Sequence, residues 1–130
     1  MSENTENLEQ FAEGVTRSLV ELVAALQARG IEYPLEAYRI YSYLTRAAGE
    51  MRTALDLVGT SVQGLHDSGR LMSDYRGEPL DEVLERFALS SGRARDLAGD
   101  LHGNLSKAHS AIGHVAYKEA PEEQESAAGS

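Results

Sequence analysis

Two long heptad seams dominate this chain, and they complement each other. In the first, Pro34, Ala37, Tyr41, Leu44, Ala48, Met51, Leu55, Val58, Val62 and Leu65 recur at alternating spacings of three and four. In the second, Leu80, Leu84, Phe87, Ser91, Ala94, Ala98, Leu101, Leu105, Ala108, Ile112 and Val115 do the same. A 3,4 repeat marks helices packed at a shallow angle. Between them, Gly69 to Pro79 is too short for anything but a reversal. The expected core of the fold is an antiparallel helical hairpin over about 34–68 and 79–116.

Paired antiparallel, the seams match in register. Leu65 meets Leu80, Val62 meets Leu84, Val58 meets Phe87 and Leu55 meets Ser91. Farther along, Met51 meets Ala94, Ala48 meets Ala98, Leu44 meets Leu101 and Tyr41 meets Leu105. The small pair Ala48 and Ala98 predicts a pinch at mid-hairpin. One flank offers Ile40, Ala47, Ala54 and Ser61 with Ser90, Leu97, Asn104 and Ala111, a small, mostly apolar groove. The other offers Tyr38, Thr45, Arg52, Gly59 and His66 with Ala88, Arg95, His102 and His109. That flank is polar and expected to be open. A further helix is predicted over about 5–29, with the stripe Leu8, Phe11, Val15, Leu19, Leu22 and Leu26 and a stop at Gly30. It should dock in the apolar groove, giving an all-α, up-down-up three-helix bundle. Pro34 and Pro79 suit helix starts. Residues 1–117 read as one helical domain, and 118–130 as a disordered acidic tail without apolar periodicity.

Composition bounds the chemistry. The chain has 130 residues, 42% of them apolar, and no Cys. Disulfides, thiolate metal sites and thiol nucleophiles are excluded. No stretch reaches membrane-span length, and the polar, acidic start argues against a cleaved signal peptide. These features read as a cytoplasmic protein, and the Ala, Gly, Arg and Glu usage suggests a bacterial one. The net charge of −9 is concentrated at the ends, with −4 over residues 1–33, −2 over 34–117 and −3 over 118–130. A hairpin body without a basic stripe argues against direct nucleic-acid binding.

Gly92, Gly99, Ser106 and Gly113 fall on one column of the last helix at intervals of seven. Each interior Gly costs about 1 kcal/mol relative to Ala. The column therefore reads either as chance or as a place where a partner helix comes close. With Arg95, His102 and His109 beside it, and the outward Tyr38, it is the candidate protein interface. Tyr33, Tyr38, Tyr41 and Tyr43 cluster at the hairpin base, as a contact patch or as packing for the first helix. The four His make no Glu-x-x-His motif; the nearest is Gln63-Gly64-Leu65-His66. A metal-binding bundle is the weakest alternative. Asp96 and Asp100 read as an exposed charged face rather than an acid-base pair. No catalytic, cofactor or metal site is expected.

The segment 34–122 resembles the W-x-G helical-hairpin proteins exported by type VII secretion systems. Tyr75-Arg76-Gly77 stands in the turn where those proteins carry W-x-G. Tyr117 follows the last helix, where the family has a Tyr-x-x-x-acidic signal; here the fourth residue on is Pro121 and Glu122 comes next. The resemblance implies export and a helical partner. The reading from the residues themselves is a non-enzymatic helical interaction protein, self-associating or acting as an adaptor to a protein partner.

Overall fold

The structure, a computed structural model, describes residues 2–73, 77–116 and 118. Three helices account for most of them: α1 over Ser2–Ala28, α2 over Pro34–Asp67 and α3 over Leu80–Ile112. There is no strand among the described residues. The all-α class, the three helices and the paired α2–α3 hairpin agree with the sequence expectation. The anticipated tail lies outside the described residues apart from Lys118. So do Tyr75, Arg76 and Tyr117 of the two motifs.

The helix ends follow local chemistry. Gly30 takes φ +77 just after α1, a backbone that L side chains rarely adopt. Pro34 occupies the first turn of α2, and Glu36 adds acid there. At the far end of α2 the Gly69 N–H donates to His66 O at 3.0 Å and the Arg70 N–H donates to Leu65 O at 3.1 Å. With Gly69 at φ +74 these form a Schellman stop. Asp81 and Glu82 lie in the first turn of α3. The other end of α3 departs from expectation. The heptad continues to Val115, but the helix stops at Ile112. Beyond Gly113 the N–H groups of His114 and Val115 donate three residues back, to Ala111 O and Ile112 O. A seam can therefore outlast the helix that carries it.

α2 and α3, of 34 and 33 residues, are each about 50 Å long. They pack against each other along the hairpin. Ala48 and Ala98, 2% and 5% exposed, are the buried hydrophobic residues. An Ala pair is enclosed only where two backbones come close, so the pinch is real and the seam register holds there. Toward the reversal the helices part around a cleft of about 260 Å³, which Leu55, Val62, Leu84, Phe87 and Ser91 help to line. No described helix is long and apolar enough to cross a membrane.

The docking of the first helix is where the structure differs from the sequence expectation. α1 makes no contact with α2 or α3. Its stripe residues Leu8, Phe11, Val15, Leu19 and Leu26 are exposed, Phe11 at 72%. The groove expected to receive it is bare as well, with Ala47, Ala54, Ser61, Ser90, Leu97, Asn104 and Ala111 exposed and Ile40 half-buried. At the junction Arg29 pairs with Glu32 and, at 2.7 Å, with Glu36, while the Glu32 N–H donates to Glu36 at 3.1 Å. Tyr33 is extended at φ −138, ψ 147. This clamp bridges the end of α1 and the first turn of α2.

Candidate functional site

The candidate residues on α3 all lie on or beside the polar flank, and that flank is where α2 and α3 meet. Gly99 faces Arg52: a Cβ built there would stand 3.5 Å from the guanidinium. A Cβ on Gly49 would stand 3.2 Å from the His102 ring. Tyr38 stacks on His109, with centroids 4.1 Å apart and planes at 25°. The edge of the Tyr38 ring also covers Gly113, where a Cβ would come to 3.0 Å. Arg95 reaches across the hairpin to Asp56 at 3.2 Å, with Asp96 at 3.4 Å. The hydrogen bond to Asp56, aided by the charge of Asp96, raises the Arg95 pKa further above its ordinary value.

The structure thus brings together Tyr38, His109 and Gly113 at the hairpin base. Separately, it sets Arg95, Gly99 and His102 around Gly49, Arg52 and Asp56. Gly92 lines the cleft between the helices and has nothing within 4 Å of its would-be Cβ. Ser106 is exposed. What comes close to the column at Gly99 and Gly113 is α2 of the same chain: small residues let Arg52 and Tyr38 lie across α3. His109 Nε2 is enclosed without a hydrogen-bond partner among the described residues.

The expectation that this flank is open holds only in part: Arg52, Ala88 and His102 are exposed, and the other flank positions are half-buried. The two helices are rolled toward it, so Thr45, Gly49, Gly59 and His66 are half-buried while the seam residues Met51, Val58 and Leu65 are exposed. On α3, Gly92, Arg95 and Gly99 are half-buried while Phe87, Ala94 and Leu101 are exposed. The opposite, apolar flank is the more open one. It presents Met51, Ala54 and Val58 from α2 with Ala94, Leu97 and Leu101 from α3, Val58 at 54% and Leu97 at 59% exposure. Sequence reasoning missed Asp56 and Gly49, and it placed Arg52 on this flank without pairing it with Gly99. The missed signal was the position of Gly49 and Gly99 opposite the large side chains of His102 and Arg52.

The remaining titratable clusters are small. His66 lies 3.5 Å from Asp81 and 3.9 Å from Asp67. Among the described residues no three His, Asp or Glu side chains converge with metal-ligand geometry. Asp96 is engaged by Arg95, and the Asp100 carbonyl accepts from the Asn104 amide at 2.9 Å. The chain matches no known protein family, curated protein or solved structure with which it was compared.

Proposed function

We propose that this protein is a non-enzymatic helical interaction protein, one that self-associates or joins a protein partner through the apolar flank of the hairpin. The observation that supports the reading is the continuous apolar strip from Met51 to Leu65 and from Phe87 to Leu101, left bare in a chain whose enclosed core is an Ala pair. Contiguous exposed apolar surface of this kind marks contact sites. The polar flank supports it by tying α2 to α3 behind the strip, through Arg95–Asp56 and Tyr38–His109.

Leu97→Glu tests the reading. A charge at this exposed position leaves the hairpin's own contacts untouched, so circular dichroism should be unchanged. Sedimentation over a range of concentrations should show association for the wild type and a marked weakening for the variant. A photo-crosslinker at position 97, in the cells that make the protein, should yield a discrete adduct. A wild type that stays monomeric, with no adduct at position 97, would end the proposal.

A second reading, an exported type VII-like hairpin protein or its partner, is favoured by Gly77. In the reversal it takes φ +81, the left-handed backbone that suits the glycine of an aromatic-x-Gly turn. Its test is secretion from a type VII-competent host, abolished by Gly77→Val and by Tyr117→Ala. Retention of the wild type inside the cell would exclude it.

A further inference from the structure

One chain carries two bare apolar surfaces. The α1 stripe runs from Leu8 to Leu26, and the bare strip on α2 runs from Met51 to Leu65. They cover eighteen and fourteen residue steps, about 27 and 21 Å of helix. α1 makes no contact with its own hairpin, and Arg29 bridges the junction to Glu32 and Glu36. Resting on the interaction reading above, we propose that a second copy of this chain supplies the missing cover. α1 of each copy lies in the apolar flank of the other, in a reciprocal exchange.

Three features favour this occupant. Ala47, Ala54, Ser61, Ser90 and Ala94 make a shallow floor, so a helix can seat close while Leu97 and Leu101 grip its side. The sequence Ser2–Ala28 carries five Glu and only Arg17, a net −4. Two α1 helices side by side would repel each other, whereas the hairpin body is near neutral and offers Arg93 beside the flank. The area is also sufficient. One α1 seated on one flank removes on the order of 1,000 Å² from water, and the symmetric pair about 2,000 Å², at the upper end of what specific stable interfaces bury. A two-fold exchange closes on itself and leaves neither surface open for further copies.

Because the chain has no Cys, engineered thiols report the arrangement directly. Val15→Cys chains are mixed with Leu97→Cys chains and oxidised gently. Both sites are exposed, and circular dichroism checks that the helices persist. Phe11→Cys and Leu19→Cys are run in parallel to allow for register. The expected result is a disulfide-linked pair of one chain of each kind, with wild type sedimenting as a dimer. A double variant, Val15→Cys with Leu97→Cys, that closes its disulfide within a monomer would overturn the proposal, since α1 would then cover its own hairpin. Association with crosslinks only between α1 helices would also overturn it, while leaving the broader interaction reading intact. A wild type that is monomeric at every concentration, and gives no adduct through position 97, would remove both.

Discussion

At Gly99 an added Cβ would meet Arg52 at 3.5 Å, an ordinary contact with a flexible side chain. Gly99→Ala should therefore stabilise the hairpin by up to about 1 kcal/mol, the helix-propensity difference, read from the urea midpoint. A loss of stability would mean that Arg52 cannot yield. Gly113→Ala should show no such gain, because its Cβ would press to 3.0 Å on the ring that stacks against His109. The junction offers a second residue-scale outcome. The hydrogen bond from Arg29, then that from the Glu32 N–H, lowers the Glu36 pKa below 4.5. A carboxylate depressed in the folded state stabilises it at any pH above the unfolded value, and that contribution disappears as pH falls through the lower, folded value. The clamp should thus be intact at neutral pH and open only below the ordinary glutamate range. Side-chain NMR should find Glu36 titrating below the ordinary glutamate range, and Arg29→Ala should raise it back toward that range. An unchanged Glu36 in that variant would show that the clamp does not form in solution.

α1 is a 27-residue helix without a packed face, and helices of this kind owe most of their stability to tertiary contacts. Its amides should exchange quickly in dilute protein and slow as concentration rises. Amides around Ala48 and Ala98 should be protected throughout. Concentration-independent protection of α1 would contradict an intermolecular cover. At this scale much was legible in the sequence. The two seams gave the hairpin, the Ala48–Ala98 register and the reversal, while Gly30, Pro34, Gly69 and Pro79 placed most boundaries to within a residue or two. The roll of the helices was not legible. A 3,4 repeat defines a stripe broad enough to be buried on either flank, and on the flank that is more covered Gly49 and Gly99 face the large side chains of His102 and Arg52. The candidate interface on α3 was found as a column of small residues, but sequence spacing does not say which helix approaches it. The seat of α1 was illegible for a similar reason: matching apolar faces say that two surfaces belong together, not that they belong to the same molecule.

Both the α1 stripe and the apolar flank of the hairpin lie exposed along most of their length. Such a molecule gains stability from whatever covers it. Its melting temperature should rise with protein concentration, and Leu97→Glu should flatten that dependence. A melting temperature independent of concentration in the wild type would show that dilute and concentrated protein expose the same surface. The closed waist at Ala48 and Ala98 has a mechanical meaning as well. Two rods that come closest at one point act as scissors pivoted there. An occupant that spreads the arms around Phe87 turns them about that fulcrum, so the strain is felt at the opposite handles, where Tyr38 rests on His109.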